Sequence, residues 1–331
     1  MKIFVTGATG FMGGFLIEEL VKKGHTVKVL VRKTSNIKYL KNLNIEILHG
    51  DVTNLDSLKK ATKNIEIVIH LASLIHPVNV PDSLYYDINV KGTENVFRKS
   101  YENNKKLKQF IHCSSVTVYG EIEDENKPIS ENAPCRKQTT IYGVTKYKGE
   151  LAIKSLTNKY KVPLTIVRPS RIYGERDISF LPICKLMKKK LFFNIGLGKT
   201  FMQPVYVKDC VQGIINSINN KKSFNGEYNL AGPEPINKKQ FLSMLSKNVG
   251  KKMPRINMPV FIVKTMAIIN EILFFFLKKE PFINRKKLAF FLRSNKYDIS
   301  SAKKDLNYHP RIKPEEGIRK MVDWYKTKKL I

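Results

Sequence analysis

Three glycines at spacing three, Gly7, Gly10 and Gly13 in GATGFMGG, separate two apolar runs at the start of the chain. KIFVTG (2–7) reads as a buried strand, and FLIEELVKKG (15–24) carries apolar residues at helical spacing until Gly24 stops it. Few folds open with strand, glycine turn and helix. In the one that does so to hold a dinucleotide pyrophosphate, each glycine has a physical task. Gly7 allows the tight turn, Gly10 lets the backbone approach a phosphate, and Gly13 lets the helix pack closely on the strand. The free N–H groups of that helix then face the anion. The spacing here is G-x-x-G-x-x-G rather than G-x-G-x-x-G, so the signal comes from the flanking strand and helix, not from the trio alone.

The alternation continues. TVKVLVR (26–32), IEILHGD (45–51), IEIVIHLA (65–72) and KQFIHCSS (108–115) are short apolar runs, with helical stretches at 55–62 and 83–104 between them. Continuous apolar strands alternating with helices predict a parallel sheet covered on both faces. The expected fold is α/β, a doubly wound parallel, Rossmann-type sheet with a smaller, mostly helical C-terminal substrate domain. The dinucleotide-binding domain is expected over 1–170 with a return segment near 203–230, and the substrate domain over 171–202 and 231–331. A chain of 331 residues suffices for either one large domain or two.

The four cysteines (Cys113, Cys135, Cys184, Cys210) form no C-x-x-C pair, and no histidine pattern completes a metal site, so reduced thiols and no metal are expected. The N-terminus shows no secretory signal, which predicts a cytoplasmic location. The net charge of +31 has two readings. One is a polyanion or membrane-surface partner; the other, favoured, is a solvated surface in a Lys-, Asn- and Ile-rich chain. Under both, a positive field suits an anionic small molecule, and no nucleic-acid partner is expected.

Arg32 ends the second strand, where an acidic residue would accept from the adenosine ribose. A guanidinium there pairs with a 2′-phosphate or stacks on adenine, favouring NADP over NAD; the alternative is one more exposed base. Asp51 could accept from the adenine amino group, cap a helix, or do both. Tyr142 and Lys146 stand four apart in TTIYGVTKYKGE, on one helical face. An ammonium beside a phenol favours the phenolate, which could exchange a proton with a substrate hydroxyl or carbonyl. FIHCSSVTVYG (110–120) brings Ser114 and Ser115 to the carboxyl edge of the sheet, the edge at which such sheets bind ligands.

Together, TGATGFMG (6–13), GDV (50–52), HLAS (70–73), NVKGTENV (89–96), SSVTVYG (114–120), Tyr142 with Lys146 and RPSRIYGER (168–176) resemble the extended short-chain dehydrogenase/reductase family, in its nucleotide-sugar epimerase and dehydratase group. The pieces occur in family order over roughly residues 1–235. The resemblance implies a catalytic trio of Ser115, Tyr142 and Lys146, with Ser114 as a stand-in for Ser115. It implies a cofactor cradle of Gly7, Thr9, Gly10, Phe11, Met12, Gly13, Arg32, Asp51, Val52, Leu71, Ala72, Ser73, Asn89, Tyr142, Lys146 and Pro169, with Asn89 propping the lysine. The cofactor is NAD(P). Two departures stand out. Arg32 replaces the aspartate usual in NAD-dependent sugar epimerases, and Met202 and Gln203 occupy the place of an arginine that grips the substrate diphosphate. Lys199, Arg171, Arg176 and Arg285 are the candidate substitutes.

The activity expected is redox chemistry at a secondary alcohol or ketone, foremost epimerisation or dehydration of a nucleotide-activated sugar. The alternative is NADP-dependent oxidation or reduction of a hydroxysteroid-like or other hydrophobic alcohol, and a third reading is a dinucleotide-sensing binding protein. A homodimer is expected. The apolar block at 259–277, followed by KK (278–279) and RKK (285–287), is either a buried or dimer-contact helix or a peripheral membrane contact through 259–287.

Overall fold

The computed structural model describes residues 1–75, 80–121, 124, 127–196, 200–254, 257–276, 288 and 293–331. Seven parallel strands form the central sheet: β1 (Lys2–Thr6), β2 (Thr26–Val31), β3 (Glu46–His49), β4 (Ile67–His70), β5 (Gln109–Cys113), β6 (Leu164–Pro169) and β11 (Gly226–Leu230). Their spatial order is β11-β6-β5-β4-β1-β2-β3, every neighbouring pair parallel. Strand order therefore reverses between β1 and β4, whose ends align as Thr6 beside His70. A crevice opens at such a reversal, and the glycine turn leaves the sheet there.

Period-two alternation decides which face each strand residue serves. Ile3 and Val5 of β1 pack with Leu16 and Ile17 of α1 (Phe11–Lys22) and Ile214 of α7 (Val207–Ser217). Phe4 points the other way, toward Val96 and Phe97 of α4 (Gly92–Asn103) and Ile153 of α5 (Ile141–Tyr160). Both sheet faces are thus buried, which is why the strands read as unbroken apolar runs.

The stretch expected as one helix over 83–104 is three pieces. A π-helical turn at Asp87–Lys91 joins α3 (Asp82–Tyr86) to α4. The remaining chain builds a second lobe around Tyr173, Phe180, Met187, Phe241, Leu245, Met321 and Tyr325. It contains α6 (Leu181–Lys188), α8 (Lys238–Val249), α9 (Val260–Phe276) and the helix Pro314–Thr327. Three two-stranded ribbons stitch it: β7 (Ile172–Tyr173) with β10 (Val205–Tyr206), β9 (Phe201–Met202) with β12 (Ile236–Asn237), and β8 (Asn194–Ile195) with β13 (Asn257–Met258).

One buried guanidinium fixes the helix that carries Tyr142. Arg168 of β6, 2% exposed, holds Glu150 of α5 through both carboxylate oxygens, at 3.0 and 2.6 Å. It also pairs with Glu227 of β11 and donates to the Tyr119 hydroxyl at 3.1 Å. A buried charge needs such compensation, so α5, β6 and β11 are locked in one arrangement.

Candidate active site

The glycine turn is built as its spacing predicts. Gly7 has φ +75°, and a Cβ there would come within 2.7 Å of the Ala72 nitrogen. A Cβ on Gly13 would fall against the Gly7 carbonyl and 2.8 Å from the Ala8 Cα. Gly10 is the N-cap of α1 and supplies no capping side chain, and the first turn holds no acidic residue. The helix N-terminus therefore presents unpaired N–H donors and a positive dipole end to the crevice.

A cavity of about 720 Å³ runs along the crevice from Arg32 and Asp51, past the glycine turn, to Tyr142 and beyond into the second lobe. Gly7, Thr9, Gly10, Phe11, Met12, Gly13, Arg32, Asp51, Val52, Leu71, Ala72, Ser73, Ser115, Tyr142, Lys146 and Pro169 all line it. Ser114 also lines it, its hydroxyl buried and without a hydrogen-bond partner among the described residues. An elongated cavity with a free helix N-terminus at its waist fits an extended dinucleotide.

Thr140 caps α5 by accepting from the Gly143 nitrogen at 3.1 Å, and Tyr142 and Lys146 follow on the cavity side. Tyr142 hydrogen-bonds with Ser115 and Ser73. Its phenol is not lowered toward neutrality as the spacing suggests. Burial raises it well above the ordinary phenol value, and the two serine hydrogen bonds only partly offset this. Lys146, fully buried, donates to the Cys113 carbonyl at 2.6 Å, and desolvation lowers its own pKa.

Three further expectations change. Asn89 does not line the cavity. It lies one layer behind, in the π-helical turn, 1% exposed. Its amide accepts from Ser73 Oγ (3.0 Å) and the Leu74 nitrogen (2.7 Å), and donates to the Leu74 carbonyl (3.1 Å) and Thr145 Oγ1 (3.0 Å). Asn89 thus positions Ser73, which touches Tyr142. Asp51 does not cap α2 (Leu55–Ala61); Asn54 does, and one Asp51 oxygen accepts from both N and Oγ1 of Thr53. Arg176 is committed elsewhere, paired with Glu18 at 2.8 Å and stacked between Phe15 and Tyr39. Lys199 and Arg285 lie outside the described residues.

Arg171 does line the cavity, at the second-lobe end, where its Nη2 donates to Ser179 Oγ at 2.6 Å and its guanidinium stacks 5.0 Å from the Phe180 ring. Lys238 lines the same end, its ammonium donating to the Arg293 carbonyl. Gln203 is structural: it donates to the Gly232 carbonyl and accepts from the Tyr297 nitrogen. Sequence reading missed Lys238, Asn295 and Tyr297, which reach this wall from distant parts of the chain with no motif to mark them. Among the described residues, no group of three His, Cys, Asp or Glu side chains could hold a metal.

A doubly wound sheet with a glycine turn at a helix N-terminus and a Ser–Tyr–Lys cluster across one crevice defines a nicotinamide-dinucleotide-binding oxidoreductase fold. Residues 3–231 match the NAD dependent epimerase/dehydratase family, and the chain belongs to it. It is an enzyme of the extended short-chain dehydrogenase/reductase type with a nicotinamide dinucleotide cofactor. It is 29% identical over 264 residues (78% of this chain, 75% of the relative) to the N-acetyl-alpha-D-glucosaminyl-diphospho-ditrans,octacis-undecaprenol 4-epimerase of Escherichia coli O157:H7. It is 26% identical to the sterol-4-alpha-carboxylate 3-dehydrogenase, decarboxylating, of Mus musculus, over 97% of this chain and 90% of that one. The crystal structure of UDP-glucuronic acid 4-epimerase from Bacillus cereus in complex with NAD superposes with TM-score 0.79 at 25% identity, covering 99% of each chain.

Proposed function

We propose that this enzyme oxidises and re-reduces a secondary alcohol carbon of a sugar held through a diphosphate, the nucleotide-activated sugars being the leading class. The observation that carries this reading is Arg171, a guanidinium facing the second-lobe end of the cavity that contains Tyr142. It stands in for the arginine missing at Met202–Gln203. The E. coli and B. cereus relatives, whose names specify diphosphate-linked sugars, support it. In this division of labour, 1–170 with the return near 203–230 holds the dinucleotide, and 171–202 with 231–331 holds the substrate.

The residues divide the chemistry as follows. Tyr142 holds the proton that passes to or from the substrate oxygen, and Ser115, bonded to the same phenol, orients that oxygen. Lys146 supplies positive charge behind the pair. The dinucleotide supplies a hydride acceptor and donor when bound. Gly7, Gly10, Gly13 and the α1 N-terminus would hold its pyrophosphate, and Arg32 with Ser35 its adenosine end. Arg32 is exposed and has no ion-pair partner among the described residues, so it is available to a 2′-phosphate, and NADP is preferred.

Arg171→Ala tests the substrate assignment. KM for a bound nucleotide sugar should rise about tenfold or more, since a charge-assisted bond is worth about 1.5–3 kcal/mol, while kcat changes less. If no nucleotide sugar binds at low salt and a steroid-like ketone instead consumes NADPH, the reading fails in favour of a hydrophobic alcohol.

A further inference from the structure

The outward face of α9 is apolar. Val263 and Ala267 are fully buried against the protein, yet on the opposite side Phe261 is 70% exposed and Ile269 53%, with Ile268 and Met266 also in solvent. Helices at a protein surface ordinarily turn polar residues outward. An apolar stripe of this kind marks a docking surface.

The sequence around it is predominantly basic. Pairing of β8 with β13 (Asn194 beside Asn257, Ile195 beside Met258) ties the segment after α6 to the start of α9. A Cβ on Gly196 would lie 3.0 Å from Val260. α6 and that segment expose Leu191 and the lysines Lys185, Lys188, Lys189 and Lys190. Residues 181–196 contain four lysines and no acid, and residues 238–276 contain seven basic residues against one acid, Glu271. In sequence, KK (278–279) and RKK (285–287) follow the helix. The occupant that matches exposed apolar side chains with exposed lysines beside them is an anionic lipid surface: hydrocarbon accepts the former and headgroup phosphates the latter. The helix would lie on such a surface rather than cross it. Among the described residues no helix is long and apolar enough to span a bilayer, and Lys264, Asn270 and Glu271 interrupt this one.

We propose that α9 seats the second lobe on an anionic membrane surface, with Phe261, Ile268 and Ile269 entering the interface and Lys264 and Lys188–Lys190 meeting lipid phosphates. The proposal does not depend on the substrate assignment.

Flotation of the full chain with phosphatidylcholine vesicles, with and without phosphatidylglycerol, tests it. The protein should float with the anionic vesicles at low salt and not with the neutral ones. Phe261→Asp with Ile269→Asp should abolish flotation. Lys188→Glu, Lys189→Glu and Lys190→Glu together should lower the partition coefficient about tenfold or more. All five sites are exposed, so the thermal melt and turnover of a soluble substrate should match the parent. That vesicle-free turnover separates this test from that of the substrate reading. The proposal is overturned if the parent fails to float with anionic vesicles, or if the Phe261/Ile269 variant floats equally well, because net charge alone then explains binding. It is also overturned if light scattering shows a dimer that this variant splits, because a second copy then covers the face.

Discussion

Tyr142 meets the cavity with its proton held firmly. Burial outweighs its bonds to Ser115 and Ser73, so the cofactor-free protein keeps a neutral phenol at physiological pH. Tyr142→Phe keeps the ring and removes the transferable proton. Turnover should fall by about a hundredfold or more while dinucleotide affinity, measured by calorimetry, stays near that of the parent. Retained activity would remove Tyr142 from the mechanism. At the other end of the crevice, Arg32→Asp should reverse a preference for NADPH over NADH of about tenfold or more; equal affinities in the parent would refute the pairing with a 2′-phosphate. The helical period made Tyr142 and Lys146 legible, because residues four apart share a face whatever surrounds them. Asn89 could be placed only by resemblance, and one layer too close. Its partners at 73, 74 and 145 are brought to it by the tertiary fold, which no local spacing encodes.

The strand–turn–helix order at residues 2–22 was readable because each of its steric demands is local, though the helix begins at Phe11, four residues before the apolar run at 15–24. Gly13→Ala checks that demand. Its Cβ would meet backbone atoms of Gly7 and Ala8, which cannot step aside, so stability should drop by about 1–3 kcal/mol with weakened dinucleotide binding. Gly14→Ala is the control. Its nearest neighbour is the Arg176 side chain at 3.3 Å, which can give way, and urea melts of the two variants should differ accordingly. The π-helical turn at Asp87–Lys91 was not readable. The apolar pattern over 83–104 continues through it, and the extra residue shows only once Asn89 is tied across to Leu74 on the neighbouring loop.

For the whole molecule, acid should act through two stacked imidazoles. His70 and His112 lie 5.7 Å apart in the core, and burial holds both neutral, His70 down to about 3. An unfolded chain would protonate them near 6.5, so the native state binds fewer protons. Their contribution is intact above that value and is lost progressively as pH falls from about 6.5 toward about 3. Neither His112 nitrogen has a hydrogen-bond partner among the described residues, so His112→Leu should be neutral or stabilising and should flatten the acid limb of a Tm-versus-pH profile. An unchanged acid limb would argue against buried-histidine control.

The knot at Arg168 also bears on how the chain is made. Its two carboxylates are encoded on opposite sides of it, Glu150 before and Glu227 after. A nascent chain that has emerged only as far as β6 can offer that guanidinium one of these two carboxylates and not the other. The helix bearing Tyr142 and Lys146 gains its finished seat only when a strand 59 residues further on leaves the ribosome and docks at the sheet edge. The seating of α5 is thereby tied to the synthesis of a strand that returns to the central sheet only after the intervening second-lobe segment has been made.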